Sequence, residues 1–296
     1  MNEPSLEFAT SLLIGLARTL SRWPRPAMCL LSGMIGRLVY VLVRRRRRIA
    51  LTNLSIAFPD QSAAEREAIA KRHYKAFVIS LIDRFALWEG PVKQLEHMVR
   101  VSGWTHLEEA RAAGPLIVLA PHFLGLDAGG LYLSSKMPVV SVYAQQKSQA
   151  LTDAMTAGRG RFPDTSLVLR NEGLRAVLRH VKQGKVLYLL PDMDLGSRDA
   201  VFVPFFGLDA ATVTTVSRLA RMTGAQVLPT VTRLQGDVYH LEIFEPWRDL
   251  SSLTAEAAAA RMNAFIEARV REDPHQYLWT HRRYKTRPSG EPSVYR

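Results

Sequence analysis

One cysteine, Cys29, occurs in 296 residues. It excludes an internal disulfide and any cysteine-based zinc site, and it reads most simply as a small buried hydrophobe. Acidic side chains are scarce: 27 Asp and Glu stand against 39 Lys and Arg, a net charge of +12. Such an excess points to an anionic partner, whether nucleic acid, a membrane surface or a phosphorylated substrate. No Gly-x-Ser-x-Gly elbow, Walker-type loop or Gly-x-Gly-x-x-Gly fingerprint is present. The nearest glycine pair, in Gly158-Arg159-Gly160, runs into Arg161-Phe162-Pro163. Serine-esterase, P-loop and dinucleotide chemistry therefore lack their signatures. The chain also lacks an internal repeat, a low-complexity tract and, after residue 60, any obvious linker.

The chain is 47% hydrophobic and 22% charged, enough apolar material for one large α/β domain or two small ones. Its N-terminal part stands apart. Leu6 to Leu20 is largely apolar, Trp23-Pro24-Arg25-Pro26 interrupts it, and Ala27 to Val43 is apolar again except for Arg37. Arg44 to Arg48 follow without a break. About 17 residues is at the short limit for crossing a bilayer. Two membrane geometries stay open: one span with its arginines on the cytoplasmic side, or a helical pair lying in the interface on anionic headgroups. A nucleic-acid reading is disfavoured because no aromatics interleave the arginines. A secretory signal fits poorly, since the charges follow the apolar stretch. This reading sets residues 1–50 as an anchoring segment and 51–296 as the catalytic domain.

Ala63 to Glu89 is expected as a long amphipathic helix, with Phe77, Leu81, Phe85 and Trp88 at helical spacing as core. From Pro115 onward the pattern alternates. Strands are expected at Leu116–Ala120, Val139–Tyr143, Leu167–Leu169, Val186–Leu190, Gln226–Val231 and Tyr239–Phe244. Helices are expected at Glu172–Lys182, Thr212–Met222 and Ala255–Arg271. This predicts an α/β fold with a mixed central sheet flanked by helices.

The chemistry concentrates in a few blocks. Pro121-His122-Phe123-Leu124-Gly125-Leu126-Asp127 follows the first strand. A neutral imidazole takes a proton from a hydroxyl near pH 7, and a carboxylate fixes its tautomer, so Asp127 is the expected partner of His122. Gly125 is expected to give the tight turn before a helix whose N-terminus favours Asp127. The bland alternative is a histidine on a backbone carbonyl and a capping aspartate. Asp192-Met193-Asp194 follows another strand and suits either a divalent metal on a sugar nucleotide or a polar turn. Phe205 and Phe206 form an apolar wall for an acyl chain or for a core. Arg170 and Arg175 suit a phosphate or a surface ion pair. The C-terminal run Gln276 to Pro288 is dense in basic and aromatic residues, including Arg282 and Arg283, and His281 reads as a packing or anion-contact residue before a second base.

Taken in order, these blocks resemble the bacterial lipid A biosynthesis acyltransferases, the Kdo-dependent lauroyl and myristoyl transferases. The resemblance rests on the basic N-terminal segment, Arg48 to Leu54, Pro121 to Asp127, Gly158 to Arg161, Pro191 to Gly196, Val203 to Gly207 and Tyr277 to Pro288. Two positions depart from it: Asp127 stands where many members carry Glu, and Ala144 follows Tyr143 where relatives often carry Arg. The resemblance implies a fold like the glycerol-3-phosphate acyltransferases. It implies an acyl carrier protein thioester as co-substrate, a lipid A precursor as acceptor, inner-membrane lipids as surroundings, no metal or other cofactor, and a cytoplasmic-facing catalytic domain. His122 and Asp127 would be catalytic. Phe123, Phe205 and Phe206 would line acyl space. Arg159, Arg170 and Arg175 would face phosphates or Kdo carboxylates, with Gly125, Tyr143, Asp192, Asp194, Arg282 and Arg283 also at the substrate. The rival readings are a metal-dependent membrane glycosyltransferase using Asp192 and Asp194, an acyltransferase with another glycolipid or lysophospholipid acceptor, and a basic binding module without catalysis.

Overall fold

The computed structural model describes residues 3–295. Four helices lead: α1 (Glu3–Leu20), α2 (Arg25–Leu42), α3 (Arg44–Ala57) and α4 (Ala63–Glu89). Pro26 lies in the first turn of α2, where a missing N–H costs no helical bond. The start of α4 is a capping box: Glu65 N–H donates to Ser62 Oγ at 3.2 Å, and Ser62 N–H donates to Glu65 Oε2 at 2.7 Å. The expected boundary at residue 50 falls inside α3, which buries Ile49 and Ala50 on one side of it and Asn53 and Leu54 on the other.

After α5 (Val92–Met98) come β1 (Val99–Ser102), α6 (Trp104–Ala112), β2 (Leu116–Leu119), α7 (Leu126–Lys136) and β3 (Val139–Tyr143). Then follow α8 (Gln149–Arg159), β4 (Thr165–Leu169), α9 (Leu174–Lys182) and β5 (Val186–Leu189). The chain ends through β6 (Ala200–Phe205), β7 (Leu208–Val213), α10 (Thr215–Thr223), β8 (Gln226–Gln235), β9 (Val238–Ile243) and α11 (Ala255–Glu272). Among the described residues seven strands form one sheet in the order β1-β9-β8-β2-β5-β3-β4, within which only β8 and β9 pair antiparallel. The fold is therefore α/β, a mostly parallel central sheet between helices.

Period-two alternation divides the core. Leu116, Val118 and Ala120 face the side covered by Val78, Ile79 and Phe85 of α4, while Ile117 and Leu119 face the side of Leu54, Leu219 and Ile266. One element differs from expectation. The predicted helix from Thr212 begins only at Thr215, because Leu208–Val213 pairs with Ala200–Phe205 as a separate hairpin. Phe206 and Gly207 make its turn with φ of 52° and 76°. Two consecutive residues in the left-handed region are what a two-residue hairpin turn requires.

Candidate active site

Register sets the site. β2 and β5 are parallel neighbours with Leu119 opposite Leu189. His122 lies three residues past Leu119, and Asp192 lies three residues past Leu189, so the two side chains leave the same sheet edge side by side. Asp192 Oδ1 is 2.6 Å from His122 Nδ1, and its Oδ2 accepts from the His122 backbone N–H at 2.9 Å and from the Tyr277 hydroxyl at 3.0 Å. Burial pushes the Asp192 carboxyl up, but the adjoining imidazole and these three donors outweigh it and hold it at about 2. An ionised Asp192 can only accept, so the proton between the two groups sits on Nδ1. Nε2 then carries the lone pair, and it meets no protein donor among the described residues.

Asp127 is placed otherwise. It lies in the first turn of α7, 5% exposed, between two guanidinium groups. Arg159 Nε donates to Oδ1 at 2.7 Å, and Arg84 Nε lies 3.0 Å from Oδ2, in ion-pair contact but out of line for a hydrogen bond. Burial alone would raise the Asp127 carboxyl; Arg159 and Arg84 together pull it below the usual range, and His122 adds the least of the charge effects. The expected His122–Asp127 hydrogen bond is thus replaced by His122–Asp192, because strand register brings Asp192 to the imidazole while α7 turns Asp127 toward α4 and α8. A sequence signal for Asp192 exists in retrospect: Leu119-Ala120-Pro121-His122 and Leu189-Leu190-Pro191-Asp192 share one strand–Pro–polar pattern.

The second aspartate of Asp192-Met193-Asp194 has a different task. Asp194 accepts from Gly196 N–H at 3.0 Å, from Thr286 N–H at 2.6 Å and from the Thr286 hydroxyl at 2.8 Å. Its backbone N–H donates to His281 Nε2 at 3.0 Å. Both carboxylates are filled by protein donors and face different partners. Among the described residues no group of three or more His, Cys, Asp or Glu converges as a metal site. His281 has its Nε2 lone pair occupied, and burial lowers it to about 4, so it packs and clamps.

Several other expected contacts are structural. A Cβ on Gly125 would stand 2.6 Å from the Thr232 carbonyl oxygen, so this glycine permits α7 to approach β8 rather than supplying a left-handed turn. Phe123 and Phe206 are buried in a ring cluster with Tyr277, Trp279 and Phe58, and neither presents a surface to ligand. Arg283 is 3% exposed and donates to the Ala211 carbonyl, the Thr212 hydroxyl and the Asn263 side-chain oxygen, tying the C-terminal segment to the β6–β7 hairpin. Arg282 is half-buried with its guanidinium 5.6 Å from the Tyr295 ring centre. Arg170 and Arg175 are exposed and take no ion pair among the described residues, beyond the end of the edge strand β4, and Tyr143, half-buried, ends β3 opposite Leu169. The parallel strands place these three at the same sheet edge as His122.

Two cavities adjoin these groups. The first is a small cleft lined by His122, Asp192, Met193, Phe205, Tyr277, Trp279 and His281. The second is a small cleft, partly open to solvent, walled by Leu126, Leu131, Val139, Leu167, Tyr188 and Leu190, with Asp127, Arg159, Ser134, Ser141 and Thr165 also in its lining. Its polar pair beside apolar walls suits a chain with one charged or dipolar end.

The family model described as bacterial lipid A biosynthesis acyltransferase matches residues 4–286. The Escherichia coli (strain K12) lipid A biosynthesis lauroyltransferase is 32% identical over 290 residues, covering 97% of this chain and 94% of that protein. The palmitoleoyltransferase of the same organism is 30% identical over 275 residues, at 92% and 89% coverage, and the myristoyltransferase is 30% identical over 290 residues, at 96% and 88%. With a family match across nearly its whole length, the chain belongs to the bacterial lipid A biosynthesis acyltransferases.

Proposed function

We propose that this acyltransferase moves a fatty acyl chain from an acyl carrier protein thioester to a hydroxyl of a Kdo-bearing lipid A precursor, with His122 as general base and Asp192 as the group that positions it. The carrying observation is the 2.6 Å contact between His122 Nδ1 and Asp192, which leaves Nε2 unpaired. A base needs a lone pair aimed at the proton it removes and a fixed tautomer to supply it.

His122 Nε2 takes the acceptor hydroxyl proton as the oxygen attacks the thioester carbonyl carbon. The carbon–oxygen bond forms, the carbon–sulfur bond breaks, and the departing sulfur takes the proton back from the imidazolium. Asp192 stays ionised throughout and stabilises the positive ring. No acyl-enzyme is required, in keeping with the missing nucleophile elbow. Arg159 spends one nitrogen on Asp127 and keeps its terminal nitrogens for the negative oxygen or an acceptor phosphate. Arg170 and Arg175, exposed and unpaired, meet the acceptor's phosphates or Kdo carboxylates. The acyl chain lies in the apolar cavity behind Asp127 and Arg159.

The test is turnover of acyl carrier protein thioester and Kdo-bearing acceptor by purified protein. His122→Ala is expected to lower the rate by about 10³-fold or more, within the range general-base and pre-organisation effects together supply, in a protein still folded by circular dichroism at the assay temperature. Retained turnover ends the general-base proposal. Mass spectrometry of lipid A from cells lacking the protein is expected to show one acyl chain missing; an unchanged lipid A with a changed phospholipid pool moves the acceptor to another class.

A further inference from the structure

Among the described residues, fourteen large hydrophobic side chains are exposed, and all but Val92, Leu195 and Met222 lie between Phe8 and Val43. They sort by helical face. On α2, Met28, Ser32, Gly36 and Tyr40 are buried at every fourth position against α4. Leu30, Met34, Leu38 and Leu42, two residues out of phase, are 57–71% exposed. On α1, Phe8, Leu12 and Leu16 repeat the spacing, at 51–74% exposure, while Ile14 and Leu20 join the core. A soluble protein rarely leaves rows of large apolar side chains bare on two successive helices.

Length and composition allow α2 to cross a bilayer. Its packing opposes that. A Cβ on Gly36 would stand 2.9 Å from the backbone of Lys75, so α2 presses directly onto α4 at a level where α4 exposes Lys71, Arg72 and Lys75. A docked α2 that spanned would carry these charges into hydrocarbon, at about 3 kcal/mol each. Further anchors hold the helices down. Arg25 pairs with buried Asp83 at 2.6 Å, and Glu7 accepts from Ser148 Oγ and the backbone N–H groups of Gln149 and Ala150 at the start of α8.

Charge identifies what covers the face. Arg22, Arg37, Arg44, Arg45 and Arg48 are all exposed on or next to these helices, and none of them takes an ion pair among the described residues. Basic side chains flanking an apolar face, with Trp23 at its end, match the interface between acyl chains and anionic headgroups. We propose that α1 and α2 stay folded on the body and lie flat in one leaflet of an anionic bilayer, with no segment crossing it.

The test uses the full chain and needs no turnover, so it stands or falls separately from the acyl-transfer reading. Wild type is expected to co-sediment with phosphatidylglycerol-containing vesicles and far less with pure phosphatidylcholine. Arg44→Gln, Arg45→Gln and Arg48→Gln together are expected to weaken that binding on the order of a hundredfold, from about 1 kcal/mol per basic residue. In a Cys29→Ser background, spin labels at positions 30, 34, 38 and 42 are expected to report one shallow depth. Labels deepest at the middle, with the two ends in opposite leaflets, would establish a span and overturn the proposal. A wild-type dimer that ignores both vesicle types would do so as well, assigning the face to a second copy.

Discussion

Asp192 stays ionised down to about pH 2 because His122 and three donors compensate its burial. Its folded value lies below the ordinary 3.8, so the stability it contributes is present above about pH 4 and is lost as pH falls toward 2. That contribution is on the order of 2 kcal/mol. Asp192→Asn is therefore expected to remove part of the acid-unfolding transition in that window, followed by circular dichroism. It is also expected to cut turnover by 10²-fold or more, because an amide can donate to Nδ1 and favour the wrong tautomer. Asp127→Asn should behave differently. It leaves the half-buried Arg84 and Arg159 without their counter-charge, a change that costs up to about 3–5 kcal/mol. A large fall in melting temperature is expected for Asp127→Asn, and a changed pH–rate profile with a smaller fall for Asp192→Asn. The reverse pattern would return the positioning role to Asp127. His122 was legible as a candidate base from its strand exit alone. Its partner was not, because a five-residue spacing is local and the strand register that brings Asp192 there spans 70 residues.

At the scale of elements, one short block does three jobs that no periodicity reveals. A Cβ on Gly158 would stand 2.2 Å from the Trp88 ring, so α8 and α4 meet at this glycine. Arg159 next to it holds Asp127, and Arg161 donates to the Leu87 and Gly90 carbonyls, closing the C-terminus of α4. Gly158→Ala is expected to force α8 off α4 and draw Arg159 from Asp127. Overpacking of this kind costs about 1–3 kcal/mol. Reduced denaturant stability together with reduced turnover checks it; full stability with normal turnover would mean that Trp88 simply rotates aside. The long helix α4 and most of the strands were legible, because alternation and caps are local. The β6–β7 hairpin was not. Its Phe-rich run Val203–Phe206 reads as an apolar wall, and the turn at Phe206 puts a non-glycine residue at positive φ.

At the scale of the whole molecule, the N-terminal helices are tied to the body by buried contacts. Asn53 on α3 donates to the Trp279 and His281 carbonyls at 2.7 Å each, and Tyr295 donates to Asn53 Oδ1 at 2.5 Å. The two ends of the chain thus clasp each other beside His122, whose carbonyl in turn accepts from Leu278 N–H at 3.0 Å. Further out, Arg25 pairs with Asp83, a 2% exposed carboxylate that also accepts from the Tyr239 hydroxyl at 2.6 Å. Composition alone suggested an anchor ending near residue 50, since apolar helices followed by arginines look detachable. The buried contacts of Met28, Gly36 and Tyr40 with α4 argue that residues 3–43 complete the core on that side. Deleting residues 1–43 removes the counter-charge of Asp83 and bares the α4 face. Breaking a buried pair from one side costs about 3–5 kcal/mol before any apolar loss is counted, a large share of a domain's net stability. The shortened chain is accordingly expected to aggregate or to melt at much lower temperature in detergent-free buffer. Arg25→Met isolates the electrostatic part: it should lower the melting temperature by itself, and Asp83→Asn added to it should recover part of the loss. A truncated chain that is monomeric, melts normally and turns over substrate would show that α1 and α2 serve the membrane alone.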